Sequence, residues 1–559
     1  MSFAGVRVYF CRGFIEHKIK YAPGRPGGVS FLTGLCYTYN QYGLEDMILA
    51  RKERVFKTTM LVTAVIILSK ACGFIRDMIL ANYFGTGMEN DAYVSAYSLF
   101  YLPVLLFNSC ISATLIPLYV QERDQRSLKA ANRFASNTMN LFALAALALA
   151  AVMFILARPL VRLIYVGFDP QKTALTVRLT RIMLLSLAFN VTSISLASLL
   201  NASDRFVAAQ LTGFPLTLCV IIACVAFSRA GIIAVGWGVF FANVLQFLIL
   251  VPFLAGWFKY SPILRFNDKR FHKLLRLAGP AMLSMGISEL NHMIDHALAS
   301  GLNPGDISSM SYAYRLITFL LGVLMVPLTT VMFSKMSRLA AAKDQKGMLE
   351  VLRRCILVIA LVALPIVAIA VVLRFDVIKF AYMRGRFDMH SVEVTAGILM
   401  CYVVGVPAFG LRDFLNRVFH SLQDTTTPFW ISCVVVALNI LLNLILRVFL
   451  GANGLALATS IAGATGMVIL LLALKRRFGH LGFRHLLSDL IKIVAASLLC
   501  AALCLLLDRA LPQAMGTGRV FVRLAVCAGA SLVAYAVCCL LLRVNTFTEF
   551  VQGIVSRRR

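Results

Sequence analysis

The sequence predicts an all-α integral membrane protein of about 14 transmembrane helices, arranged as two pseudo-symmetric six-helix lobes plus two C-terminal helices. Three observations predict it. Hydrophobic residues make up 60% of the chain and the mean hydropathy is +0.83, well above the roughly 45–50% apolar usage of soluble domains. Long apolar stretches recur from residue 58 onward, separated by short basic loops. The two halves carry comparable Gly-rich turns and comparable charges inside apolar segments.

Residues 1–56 stand apart. They hold Arg7, Arg12, Lys18, Lys20 and Arg25 around the breaker run Pro23-Gly24-Arg25-Pro26-Gly27-Gly28, without an apolar core of signal-peptide type. They read either as a basic, disordered arm or as sequence ahead of a start at Met47, which precedes the compact basic flank Arg51, Lys52, Arg54 and Lys57.

The stretches long enough to span a bilayer run approximately over 58–83, 91–120, 135–157, 174–201, 207–228, 232–256, 276–300, 308–335, 353–373, 393–421, 428–449, 453–474, 488–507 and 520–542. The parse is an extension (1–56), a first lobe (57–257), a second lobe (258–475), a C-terminal helix pair (476–545) and a basic tail (546–559). No GxxxxGK[ST] pattern occurs, and the loops leave no room for a nucleotide-binding domain.

The formal net charge is +29 although only 14% of residues are charged. The basic residues cluster in loops, which fits topology signals and anionic headgroups better than nucleic acid. The loops 121–133, 257–276, 336–354 and 475–492 are all basic and fall on the side of the N-terminus, whereas 84–90 and 301–307 carry no Lys or Arg. Segment 374–392, with Arg374, Lys379, Arg384 and Arg386, reads as an external amphipathic exception. Both termini are therefore expected on the cytoplasmic side. The 14 cysteines are scattered, mostly within apolar segments, without CxxC spacing and read as small core residues.

Charges inside the spans carry the functional signal. Lys70 lies roughly 18 Å into the first span at helical rise, and a charge at that depth costs at least about 2.5–3.5 kcal/mol. Lys70 and Asp77 share a helix face, and Gly73 between them permits a bend toward Arg76. The alternatives are a buried Lys70–Asp77 pair and an Arg76 that snorkels to the headgroups. Asp91 opens the second span after Phe84-Gly85-Thr86-Gly87. In span seven, Glu289, His292 and His296 form one stripe, and Asn291 and Asp295 are spaced to pair at i, i+4. Glu289, Asp295 and, in span ten, Asp413 are candidates for carrying a coupling ion, H+ or Na+. The alternative is an internal hydrogen-bonded network. His292 and His296 have metal-ligand spacing, but without HExxH no metal is expected. Arg315 sits about two turns into span eight, and its planar fork suits a phosphate.

Taken together, SKACGFIRD, FGTG and DAY, LASGLNPGDISSMSYAYRL, RGRF and FHSLQDTTTP resemble the MurJ/MviN family over approximately residues 58–545. These are lipid II flippases of the multidrug/oligosaccharidyl-lipid/polysaccharide exporter superfamily. The resemblance implies a non-enzymatic transporter of the bacterial inner membrane, with a V-shaped cavity between two lobes that binds the diphosphate and sugars of lipid II. It implies that Lys70 (usually Arg in the family), Arg76 and Arg315 are cavity cations, Asp91 a first-lobe acid and Ser308 a small polar contact. Asp77 and Asp91 would partner the cations in the empty site, and spans thirteen and fourteen would offer a groove to the prenyl tail. Where well-studied members have a further arginine and a glutamate in span two, this chain has Val104 and Ser109. Another polyprenyl-diphosphate glycan, a drug exporter and an integral-membrane glycosyltransferase remain the alternatives. The expected partners are lipid II, membrane lipids and cell-wall synthesis machinery, with no cofactor beyond a coupling ion or the membrane potential.

Overall fold

A computed structural model of the chain describes residues 60–479, 483–512 and 516–556. The expectations for residues 1–56 and for the last residues of the tail lie outside them. The chain divides into two compact units, 1–66 and 67–559. In the first, residues 60–66 are helical. The second opens on α1, residues 67–84, followed by α2 (Met88–Gln125), α3 (Leu128–Ile155), the short α4 (Ala157–Ile164), α5 (Pro170–Leu184), α6 (Leu187–Ala202), α7 (Phe206–Gln210), α8 (Gly213–Ala226) and α9 (Ile232–Leu250). Then come α10 (Lys269–Ala299), α11 (Asp306–Leu320), α12 (Val326–Ala341), α13 (Gln345–Val372), the short α14 (Arg374–Tyr382), α15 (Met389–Val403), α16 (Val406–Ser421) and α17 (Thr426–Phe478). The last are α18 (Phe483–Ala510), α19 (Thr517–Leu541) and α20 (Asn545–Ser556).

The architecture is all-helical among the described residues. Nine helices there are long and apolar enough to cross a membrane, or up to eleven if two bent pairs each count as one span. Those pairs cover two of the expected spans. Spans 174–201 and 393–421 each bend by 45°, between α5 and α6 and between α15 and α16. At the first bend, the Ser186 hydroxyl donates to the Met183 carbonyl at 2.7 Å, an alternative to the helical ladder. At the second, Gly405 and Pro407 weaken the ladder, and the Ser460 hydroxyl donates to the Cys401 carbonyl at 2.7 Å. Expected spans 428–449 and 453–474 both fall within α17, broken at Gly451 with φ 56°, a left-handed conformation that suits glycine. Between α11 and α12 a π-helical turn covers Leu321–Met325. Pro327 explains it, because proline has no N–H and its ring clashes with the preceding turn.

A repeat is visible in the details. In each half a long helix (α3, α13) is followed after one residue by a short one (α4, α14), then by a helix capped by aspartate. Asp169 accepts from Lys172 N at 2.6 Å and Asp388 from Ser391 N at 2.9 Å. Each capped helix then enters a bent pair.

Helices α18 and α19 pack on each other, and α18 on α13, with Cys500, Cys504, Cys527 and Cys539 buried in the seam. Every described cysteine is a free thiol, in keeping with the core reading. Arg523 pins α19 through Asp376 Oδ2 at 2.9 Å on α14 and Asp508 Oδ1 at 2.7 Å on α18. The expectation that 374–392 is the one basic segment at its end of the molecule needs correction. The far end of α3 leads into Arg158 and Arg162 on α4 and Arg178 and Arg181 on α5.

Candidate substrate site

The first site is built by α1 and α11. Arg76 and Asp77 are neighbours on α1, and Arg315 approaches from the other half of the chain. Arg76 donates to Asp77 Oδ1 from Nε at 3.0 Å and from Nη2 at 2.8 Å. Arg315 Nη1 donates to the same oxygen. Two guanidiniums thus share one carboxylate oxygen. The Asp77 side chain is 7% exposed, while Arg76 keeps 17% and Arg315 24% of theirs accessible. The cluster carries one uncompensated positive charge and guanidinium N–H groups that the carboxylate does not occupy, an arrangement suited to a bidentate anion.

Lys70 does not pair with Asp77, contrary to the buried-pair alternative. Its side chain is exposed and runs along the π-helical turn, so that a Cβ at Gly322 would stand 3.1 Å from Lys70 Nζ. Arg76 does not snorkel away either, because Asp77 holds it.

Asp91 is fully buried, and its partner is none of the three expected cations. It accepts from Lys172 Nζ at 2.8 Å, a lysine that no motif in the sequence marks. It also accepts from Gly305 N at 2.7 Å and from Ser308 N and Oγ, both at 2.8 Å. The carboxylate therefore caps the N-terminus of α11, where helix dipole and free N–H groups favour an anion. Ser308, expected as a substrate contact, is buried against Asp91. Gly305, at φ 98°, brings the backbone in close; a side chain there would be strained. Nearby bonds also join distant parts of the chain: Thr86 Oγ1 to Ser391 Oγ at 2.6 Å, and Arg386 N to the Asn82 carbonyl at 2.9 Å.

Asp295 is 1% exposed. It accepts from Asn443 Nδ2 at 2.6 Å and from Thr459 Oγ1 at 3.3 Å. In the amide orientation that satisfies both ends, Asn439 Nδ2 lies 3.0 Å from Asn291 Oδ1 and 3.1 Å from Asp295 Oδ1. Asn291 and Asp295 are thus linked through Asn439. Among the described residues Asp295 has no cationic partner. Glu289 is half-buried on the same helix, His292 Nε2 bonds the Tyr314 hydroxyl at 2.9 Å, and His296 Nδ1 bonds Ser98 Oγ at 3.2 Å. Asp413 is exposed and paired with Arg417 at 3.1 Å, so it stands outside the Asp295 network. Among the described residues no group of His, Cys, Asp and Glu is arranged to hold a metal.

Two cavities accompany these clusters. One of about 510 Å³ in the first half is lined by Tyr97, Tyr101, Asn108, Asn190, Asn243 and Gln246, among others, with no charged side chain. Tyr97 and Tyr101 stack at 5.8 Å. The other, about 350 Å³ in the second half, is lined by Asn291, His292, Arg412, Asp413, Asn439 and Thr459, among others.

A repeated all-helical membrane architecture, with arginines from both halves meeting on one buried acid, defines a transporter for an anionic substrate. The family model described as "Lipid II flippase MurJ" matches residues 80–525, and the chain belongs to that family. The chain is similar to the probable lipid II flippase MurJ of Rhizobium meliloti (strain 1021), at 30% identity over 79% of this chain and 84% of the relative. It is also similar to the probable lipid II flippase MurJ of Rhizobium tropici, at 30% identity over 74% and 79%. A solved structure of lipid II flippase MurJ in an inward closed conformation superposes with a TM-score of 0.74 at 25% identity, covering 88% of this chain and all of that one. An inward-facing multidrug resistance transporter of the MATE family shares the fold, with a TM-score of 0.63 at 13% identity, over 76% of this chain and 99% of its own.

Proposed function

We propose that this chain translocates lipid II, the undecaprenyl-diphosphate-linked peptidoglycan precursor, from the inner to the outer leaflet of the bacterial cytoplasmic membrane by alternating access. The observation that carries the reading is the convergence of Arg76 and Arg315 on a single oxygen of Asp77. The diphosphate displaces Asp77 and takes the guanidinium donors, with Lys70 adding a third cation. The neutral amide and hydroxyl lining around Tyr97 and Tyr101 suits sugars, which offer hydroxyls and a flat apolar face. The prenyl tail stays in hydrocarbon against α18 and α19, whose outer faces expose Leu498, Leu506, Val533 and Leu541.

Asp91 ties α2 to the start of α11. It serves as a latch at the end of the molecule opposite the 121–133 loop, the outer end if both termini are cytoplasmic. Asp295, held by neutral donors alone, is the residue on which a coupling ion or proton would act. Asp295→Asn is expected to slow turnover more than it weakens lipid II binding. Transport by the unsubstituted chain that is indifferent to pH and sodium would remove that role.

The test of the main reading is reconstitution. Vesicles containing the full chain should expose labelled lipid II to an external reagent, and the chain should rescue cells depleted of their own lipid II flippase. Failure of both, with movement of another polyprenyl-diphosphate glycan, would reassign the substrate.

A further inference from the structure

A third cavity, of about 800 Å³, lies at the far end of α3, and its lining includes none of Arg76, Asp77 and Arg315. Arg158 and Arg162 line it from α4, one turn apart, and Arg178 and Arg181 line it from α5. No Asp or Glu is among its lining residues. The nearest acid in the sequence, Asp169, is engaged in capping α5. Among the described residues none of the four arginines forms an ion pair. Among those residues only Arg181 makes a hydrogen bond, from Nε to the Phe154 carbonyl at 3.1 Å, with its guanidinium over the Phe154 ring.

Four cations gathered without a counter-charge repel one another. Apolar side chains line it too: Val166, which is 80% exposed, Leu185 and Trp237. A short amphipathic helix at the end of a span, with arginines on one face and a tryptophan nearby, belongs at headgroup depth.

We propose that this cavity binds an anionic phospholipid of the leaflet on which it opens, the outer one in the orientation proposed above. The phosphodiester sits among Arg158, Arg162 and Arg178, and an acyl chain lies over Leu185 and Trp237. The charge complementarity selects the anion, and the apolar wall selects a lipid over a free phosphate. The site stands apart from the lipid II cavity, so its failure would leave the transport reading untouched.

Trp237 is a built-in reporter, one of three tryptophans in the chain. The full chain carrying Trp257→Phe and Trp430→Phe, reconstituted in vesicles, is exposed to brominated phosphatidylglycerol or to brominated phosphatidylcholine at equal mole fraction. Brominated phosphatidylglycerol should quench Trp237 several-fold more strongly. Adding Arg158→Gln, Arg162→Gln and Arg178→Gln should make the two lipids equal. Arg181 stays in place because it bonds the backbone. Should the Gln variant not reconstitute, salt provides the second measurement. At about 1 M, where the Debye length falls to about 3 Å, the selectivity of the three-arginine protein should shrink. Equal quenching by both lipids at low salt, or selectivity that survives the Gln substitutions, would overturn the proposal. Displacement by millimolar inorganic phosphate would overturn it too, in favour of a soluble anion.

Discussion

Asp77→Asn separates the roles of the central cluster, because its effects on stability and on binding have opposite signs. In the empty protein the Asp77 carboxylate accepts from two guanidiniums at once and offsets one of their two charges. Removing one partner of a buried pair costs about 3–5 kcal/mol. Arg76 and Arg315 remain 17% and 24% accessible, and that hydration cuts the cost to about 1–3 kcal/mol. The same carboxylate competes with the substrate diphosphate for the same donors. Its loss should therefore tighten lipid II binding by about tenfold or more. Arg315→Ala should do the reverse. It deletes a charge-assisted contact worth about 1.5–3 kcal/mol, weakening binding by about ten- to over a hundredfold. Because Asp77 keeps Arg76, the protein should unfold close to its normal temperature. Arg315→Lys should fall between, since a point charge cannot reproduce bidentate contacts. The assay pairs lipid II affinity of purified protein with thermal unfolding in its presence and absence. Asp77→Asn protein that is as stable as the parent and binds lipid II more weakly would refute the competition. So would an Arg315→Ala protein of undiminished affinity.

Lys70→Arg should support transport and Lys70→Ala should impair it without loss of folded yield, since no acid is left unpaired; a yield collapse rescued by Asp77→Asn would restore the Lys70–Asp77 pair that the structure lacks. Lys172→Met strands the fully buried Asp91 beside neutral donors; it should cost about 3–5 kcal/mol in thermal unfolding, and the double change with Asp91→Asn should recover most of that, whereas additive losses would count against the latch. Asp388 caps α15, and the Ser391 backbone N–H with its hydroxyl holds that carboxyl below the usual carboxylate range. The stability it adds is thus present above a pH of about 4 and lost as pH falls through the depressed value. Asp388→Ala should cost about 1 kcal/mol near neutral pH and less in acid; a cost that does not change with pH would show that the cap charge is irrelevant.

Much of this protein is legible in its sequence because a bilayer enforces simple rules. Hydrocarbon admits only backbone that satisfies itself, so each long apolar run had to be helical. A cation within such a run has to be compensated, which singles out Lys70, Arg76 and Arg315 from the sequence. The motifs from SKACGFIRD to FHSLQDTTTP pointed to the family, and the family model bears that out.

Tertiary structure alone decided the partners. Pairing between helices depends on rotation and depth, which no single-helix spacing specifies. Lys70 and Asp77 share a face of α1, yet Asp77 turns to Arg76 and Arg315, and Lys70 lies along the π-helical turn that Pro327 provokes. Asp91 was expected beside the cavity cations; Lys172, from a helix eighty residues on in the chain, takes that place. The Asn439, Asn443 and Thr459 donors to Asp295 come from α17, where as neutral residues in apolar runs they carried no charge signal. The four arginines of α4 and α5 were visible as letters, but only the fold gathers them into one cavity without an acid. The sequence determined where charge had to be explained; the packing of helices from both halves decided what each charge faces.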